Sequence, residues 1–554
     1  MRDRRYRFGW LVGFIVLAAM PRPGDARITF VQEEGVEDGD FEYDFIGDIA
    51  VSPDDKFVYA AAAYSPNEII VYERVSDTGA LEERAEVLPD PVAREVTFLV
   101  ISPDGAHLYG LDYVSGAVIA FARNATTGLL TRLGSVTPPT SGINQQWQGI
   151  TISPDGATVY ATAAGRDSIA VYARDASTGL LTLVEVENSA PGLFRPIGIA
   201  VSPDGAHVYV ACFHFGGGVV VLARDAITGA LSGVQDIEGG SNGNPLTLEF
   251  SVVASPDGKH VYVSGNPGIT TFSVDSATGA LIGIQTTNDG ADHEVLLAAD
   301  GSRAYACGSA SGVRGYARNA TTGLLTNDES HVPFEEGFPP PLFCFGMAMT
   351  SAGRHFYAIT TYDLDLPSRP YAYTIGVFRR LNSTCTAAPI AGCRTPTRPA
   401  SIAMRGGSGR LSWKWRGTGS IADFGDPVTR ANDAAVCVYD DRGGSIRSVA
   451  PGAAPCPNDR PCWRLRAASD IRYTNSKSSR DGLKLVKLQE RSPGDVRLGV
   501  DARGWGLAVP TFPMVGPVTV QLQLSDGTTT SCWTSTFSTP RKNDVVQYRA
   551  TSDP

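Results

Sequence analysis

What this chain of 554 residues lacks most plainly is the equipment of a cofactor-dependent enzyme. It has no P-loop, no dinucleotide-binding glycine fingerprint and no G-x-S-x-G nucleophile elbow in a strand-turn-helix setting, which sets aside nucleotide-dependent catalysts and α/β-hydrolases. Histidine is scarce, with 7 in all and none after His355. Neither Cys385 with Cys393 nor Cys456 with Cys462 has C-x-x-C spacing, so the C-terminal part offers no zinc set. No metal and no cofactor is expected. Apart from Gly9 to Met20 there is no long apolar run, so stable membrane insertion is not expected either.

What is present is a turn that recurs seven times, at intervals of roughly 43 to 53 residues. The copies begin at Ser52 (SPDDKFVY), Ser102 (SPDGAHLY), Ser153 (SPDGATVY), Ser202 (SPDGAHVY) and Ser255 (SPDGKHVY). They degrade to AADGSRAY at Ala298 and TSAGRHFY at Thr350. Proline second and glycine fourth suit a type I turn between two strands. A β-rich run and an R-D/N-A-x-T-G-x-L turn follow, at Arg174, Arg224 and Arg318 and more loosely at Arg74, Arg123 and Ser273. Each unit reads as four antiparallel strands, one blade of a propeller.

The seventh repeat stops near Phe378 without a TG turn or a fourth strand, whereas Arg27 to Gly35 (RITFVQEEG) resembles a fourth strand with no blade before it. The N-terminal strand is therefore expected to complete blade seven, closing the ring and removing a sheet edge. Residues 1–26, with Arg2, Arg4, Arg5 and Arg7 before the apolar stretch and Gly24-Asp25-Ala26 for cleavage, read as a signal peptide. Arg7 stands where a twin-arginine signal has an apolar residue, so general secretion is the expected route and the cell exterior or periplasm the expected location.

Six of the nine cysteines follow the propeller, which suits an oxidising compartment. Proximity along the chain puts Cys385 with Cys393 and Cys456 with Cys462, leaving Cys437 with Cys532 as a long clasp, although six cysteines allow 15 pairings. Cys307 and Cys344 are placed to pair across neighbouring blades, and Cys212 reads as a small buried side chain. Residues 383–554 form a second unit: RLSWKW, AAVCVYD, GLKLVKL, DVRLGV and VTVQLQL alternate and are separated by turn residues, favouring an antiparallel sandwich. Its basic residues exceed its acidic ones by about 9, while the propeller, residues 27–382, is acidic by about 23. The arginines are spread along the tail, so scattered solvated charge is the expectation, ahead of docking on an acidic face of the propeller or an anionic polymer. Nucleic acid is not expected as a partner.

The V-S-P-D-G-x-x-V-Y-V unit followed by V-x-x-R-D-x-x-T-G-x-L resembles the YVTN-type and lactonase-like seven-bladed propellers, the group of 6-phosphogluconolactonase and carboxymuconate cyclase. The resemblance spans about residues 27 to 380 and implies the fold rather than the chemistry, because the matching residues are turn and packing residues. Lactonases of this group carry a stretch like P-H-A-H before the SPDG turn. Here Phe194-Arg195-Pro196-Ile197 keeps an arginine and no histidine pair, which puts the enzymatic reading in doubt.

In such a blade the SPDG and TG turns share one face, and the variable loops on the other face are where binding groups belong. The position four residues before each SPDG turn is small or apolar except at Asp48 and Glu294, with His293 beside the latter. Gln146, Gln148, Arg195, His214 and Glu249 occupy the same face. A lactone hydrolase needs a base for water and donors for the oxyanion; His293 or Glu294 would serve as base and Arg195 or His214 as electrophilic partner. Asp48, Gln146, Gln148 and Glu249 would contact a ligand. The acidic stretch from Glu37 to Asp48, with Asp363 and Asp365, lacks calcium-loop spacing and reads as charged surface. The sequence thus points to an all-β, secreted, monomeric scaffold that binds a small molecule, carbohydrate or protein at its top face. The competing reading is an extracytoplasmic lactonase-like hydrolase acting at that face.

Overall fold

The computed structural model describes residues 28–35, 45–63, 68–76, 79–87, 95–139, 147–213, 217–239, 247–290, 293–308, 312–331, 343–351, 353–366, 369–380, 385, 388–406, 409–428, 432–450, 455–456, 460–474, 483–503, 511–526 and 529–553. The proposed signal peptide, Gln146, His214 and most of the acidic stretch lie outside them. Described secondary structure is strand apart from two 3-10 turns, Ala164–Arg166 and Ile421–Phe424.

Seven four-stranded antiparallel sheets follow in succession. The first runs Phe45–Val51, Phe57–Ala63, Glu68–Arg74, Leu81–Val87. The next five repeat that order from Val96, Trp147, Pro196, Thr247 and Glu294. The seventh takes three strands from Phe343–Met349, His355–Leu366 and Arg369–Arg380, and its outermost strand is Ile28–Gly35, paired with Arg369–Arg380 from Ile28↔Arg380 to Gly35↔Thr374. The seventh sheet also meets the first. Ser351 donates from N and Oγ to the Asp55 carboxylate (both 2.7 Å), and the Tyr357 hydroxyl donates to Gly79 O (2.9 Å).

The repeat residues explain how sheets are joined. Tyr109, fully buried, donates its hydroxyl to the carbonyl of Gly179 in the TG turn of the next sheet (2.9 Å), and accepts from Arg174 Nε (2.9 Å). The same guanidinium holds Gly156 O of its own SPDG turn (3.0 Å) and Asp104 of the preceding one (2.8 Å). Tyr59 with Arg123, Tyr160 with Arg224, and Tyr262 with Arg318 repeat the arrangement. Burial alone would raise Asp104, but bonds from Ser102, the Ala106 amide and Arg174 outweigh it and hold the carboxyl at about 2. Gly179 has a φ of +76°, and a Cβ there would collide with the His107 ring. His207, His260 and His355 abut the corresponding glycines Gly279, Gly323 and Gly79. Four of the seven histidines are thus joints between sheets. Asn124 and Asn319, which match sequons, fold their own TG turns by accepting amide bonds from residues two and three ahead.

The C-terminal residues form an eight-stranded and a four-stranded sheet, with a two-stranded ribbon of Pro455–Cys456 and Arg460–Pro461. Both contribute to one core that includes Trp413, Trp415, Trp463, Val436, Val520 and Trp533, as a sandwich requires. The disulfides correct two of the expected pairings, Cys385 with Cys393 and Cys437 with Cys532. Cys385 bonds to Cys437 and Cys393 to Cys532, because the strands Asp433–Asp440 and Thr530–Phe537 carry their cysteines to the segment that leaves the propeller. Cys307 does pair with Cys344, and Cys212 is buried in the core between the third and fourth sheets. Arg379, at the end of the last propeller strand, meets Asp433 through two bonds of 3.0 and 2.6 Å, both side chains essentially without solvent access.

Removing one side of that ion pair leaves a buried charge, so Asp433→Ala should lose about 3–5 kcal/mol, read as a fall in the denaturant midpoint. Tyr109→Phe leaves Arg174 Nε without an acceptor and should cost about 1–3 kcal/mol. Tyr209→Phe should cost distinctly less, because the next sheet ends its third strand in Val274 where the others have arginine. Equal losses for the two tyrosine variants in chemical denaturation would remove the guanidinium from the account.

Candidate functional site

The innermost strand of nearly every sheet is irregular at one place. The pairing register shifts between Ile46 and Asp48, Val96 and Phe98, Trp147 and Gly149, Pro196 and Ile199, Glu249 and Ser251, and Cys344 and Met347. A bulge bends the strand and re-aims the side chain that follows. The positions four before each turn are therefore equivalent: Asp48, Phe98, Gly149, Gly198, Ser251, Glu294 and Gly346. Glycine stands at Gly149 and Gly198 for a reason the sequence did not disclose. A Cβ on Gly149 would run into Ile197 O, and one on Gly198 would come within 2.9 Å of Phe250 O, so neighbouring inner strands approach backbone to backbone.

Asp48 and Glu294 fill this position with carboxyls, and each has a partner. Asp48 accepts from the amides of Ile49 (2.7 Å) and Leu99 of the next sheet (2.9 Å). Glu294 accepts from the Ser251 hydroxyl of the preceding sheet (3.1 Å). Burial raises Asp48 to about 7 against the pull of those two amides. Burial, with the negative charge of Asp48, raises Glu294 to about 8, the Ser251 bond opposing. At neutral pH this favours the neutral acid form of Glu294.

Beside these positions, with Phe250 and His293 one residue before Ser251 and Glu294, lies a row of rings. Phe250 and His293 stack with centroids 4.9 Å apart and planes within 8°, Phe213 meets Phe250 at 5.4 Å, and the Arg195 guanidinium lies over Phe213 at 5.2 Å. All four side chains are partly exposed. The row is held by backbone. His293 N donates to Cys307 O (3.1 Å), His293 O accepts from Ser264 (2.8 Å), and Arg195, at a φ of +48°, donates its amide to Asp167 (2.8 Å) while its carbonyl accepts from Phe213 N (3.0 Å).

Of the residues singled out from the sequence, Asp48, Glu294, His293 and Arg195 thus fall in two adjoining groups on the fourth to sixth and first sheets. Gln148 stands on the third inner strand and is partly exposed. Glu249 sits at the bulge opposite Gly265, and its side chain is outside the described set, as are those of Asp363 and Asp365. Phe213, Phe250 and Ser251 were not foreseen. An apolar or hydroxyl residue beside a strand carries no chemical signal until a neighbouring sheet supplies its partner. Among the described residues no cluster of three or more histidine, cysteine or carboxylate side chains could hold a metal ion.

Repeated four-stranded sheets with their polar groups gathered at the inner strands define a propeller-type repeat protein. The chain belongs to the family described as Lactonase, 7-bladed beta-propeller, which matches residues 16–143, 97–244 and 249–339, more than half of its length. Among solved structures it is similar to the periplasmic gluconolactonase of Pseudomonas aeruginosa, at 21% identity over 51% of this chain and 84% of that one, with a TM-score of 0.44. A Lactobacillus plantarum protein is 20% identical over 51% of this chain and 85% of its own, TM-score 0.44. The hydrazine synthase of Kuenenia stuttgartiensis is 16% identical over 58% and 94%, TM-score 0.43. At these scores the likenesses carry no argument about activity. No curated protein matches the chain.

Asp48 and Glu294 bind protons more tightly in the folded chain than in the unfolded one. Their contribution is therefore favourable below about pH 4 and is lost as pH rises through about 7 and 8. Relative to the parent, an Asp48→Asn, Glu294→Gln variant should gain on the order of several kcal/mol between pH 5 and pH 9, seen as converging and then crossing melting curves. Parallel curves across that range would show that neither carboxyl is held protonated.

Proposed function

We propose that this chain is an exported, ligand-binding propeller of the lactonase-like family, whose seven sheets close as a ring and which takes a small cyclic, carbohydrate-like ligand at the inner strands of the fourth to sixth sheets. The observation that carries the reading is the row Arg195–Phe213–Phe250–His293: partly exposed rings beside a guanidinium suit a flat ring bearing hydroxyl or carboxyl groups. Glu294 beside it, neutral at pH 7, acts as a donor to the ligand and not as a resting base. The disulfides Cys307–Cys344, Cys385–Cys437 and Cys393–Cys532 support export. The ring is supported by the bonds that join the seventh sheet to the first.

A second reading, lactone hydrolysis, is favoured by one feature. Two carboxyls that titrate near neutrality are suited to proton transfer, with Glu294 or His293 as base toward water and Arg195 over the developing oxyanion. A panel of sugar and aliphatic lactones and their open aldonates separates the two. Saturable binding measured by calorimetry, weakened at least about tenfold by Phe250→Ala and unaccompanied by turnover, is the expected result. Turnover that disappears in Glu294→Gln and rises with pH through about 8 in the parent would make the chain a hydrolase.

A further inference from the structure

The tail's excess of basic residues, dispersed along the sequence, converges in the fold. In the eight-stranded sheet the alternation is strict: Leu411, Trp413 and Trp415, and Val496, Leu498 and Val500, face the core, and the residues between them face outward. Pairing register then lines up Arg464 with Arg472, Arg472 with Lys487, Lys487 with Gly499, and Gly499 with Lys414, a single row across five strands. The next row places Arg497 between Gln489 and Arg416. Two of these cations are engaged by carboxylates, Arg472 by Asp470 (2.7 Å) and Arg416 by Asp495 (2.6 Å). Lys414 and Arg497 have no ion pair among the described residues, and the buried Nε of Arg497 has no hydrogen-bond partner.

The described hydrogen bonds from the last propeller sheet to the tail reach the other sheet or its rim. Arg379 meets Asp433 and Arg354 donates to Asp526 O, just past the strand Val518–Ser525, while Cys385, where the tail begins, is bonded to Cys437 of that sheet. The cationic face therefore points away from the acidic propeller and is not neutralised by it.

We propose that this face binds a linear anionic polysaccharide. Strands lie about 4.8 Å apart, so the row offers cations at one-strand intervals from Arg464 to Lys487 and again two strands on at Lys414. That spacing suits a chain carrying one carboxylate per sugar, and Gly499, with no side chain, leaves a shallow notch along its path. Polymers read through their bases are disfavoured, because the large rings of these strands, Trp413, Trp415, Trp463 and Tyr473, are all buried on the opposite face and none is available for stacking. Attraction of this kind is salt-dependent through the counterions that the polymer releases.

The test titrates the full chain into fluorescently labelled polygalacturonate, a single-stranded DNA of equal charge, and phosphatidylserine-containing vesicles, over a range of salt. Polygalacturonate should bind. The K414Q/K487Q/R497Q variant should weaken it about tenfold or more and flatten the dependence of log K on log salt by roughly two to three. Neutralising three propeller cations instead, Lys56→Gln, Arg132→Gln and Lys259→Gln, should leave both quantities unchanged. Should the triple tail variant melt early, Lys414→Gln alone, at an exposed site, should still lower the slope by about one. Failure to bind the glycan, equal losses from the two triple variants, or tighter binding of DNA or vesicles would overturn the assignment.

Discussion

The structure of the propeller depends on one interaction repeated around it, the grip of a buried guanidinium on a tyrosine of the sheet before. Arg174 bonds through all three of its nitrogens at once, to Tyr109, to its own Gly156, and to Asp104 and His107, and Tyr109 in turn donates to Gly179. Buried cations are tolerated only when fully satisfied, so each sheet is accepted only in the orientation that completes the set. Where arginine is replaced, at Val274, the sheets rely on apolar packing through Tyr209, Val221 and Phe272.

That grip fixes the outer parts of the sheets and frees the inner strands to vary. Register shifts there aim one residue per sheet inward, and glycine at Gly149 and Gly198 permits neighbouring backbones to approach. Asp48 and Glu294 can occupy equivalent places because the adjacent sheet offers amides in one case and a hydroxyl in the other. Their elevated proton affinity follows from burial with too few donors to sustain two charges. The ring row from Arg195 to His293 is built on Phe250 of one such strand and on residues flanking the strands beside it, so shape, charge and donor capacity are set together.

The tail is attached through one sheet and displays the other. A fully buried ion pair is a poor source of net stability, but it admits only one docking of Asp433 on Arg379, and the disulfide from Cys385 to Cys437 restricts the same approach. The opposite face is thereby presented outward with its row of cations, Arg472 paired with Asp470 and Lys414 without an ion pair among the described residues.

The seven repeats, their four-strand units and the turn faces were legible because SPDG and TG turns restrict backbone conformation within a few residues, and alternation reports the buried side of a strand. The N-terminal strand was legible as an unpaired fourth strand, and its partner Arg369–Arg380 matches that expectation. Asp48 and Glu294 stood out because carboxyls interrupt an apolar position. What lay beyond reach depended on neighbours distant in sequence: the service of His107, His207, His260 and His355 as joints, the pairing of Cys393 with Cys532, the stacking of Phe250 on His293, and the gathering of scattered tail arginines on one face. Local steric rules and periodicity act within a strand and its turn, so the sequence alone determined the repeat and the blade. Contacts between strands far apart in the chain are decided by register and packing, and only the tertiary structure set those.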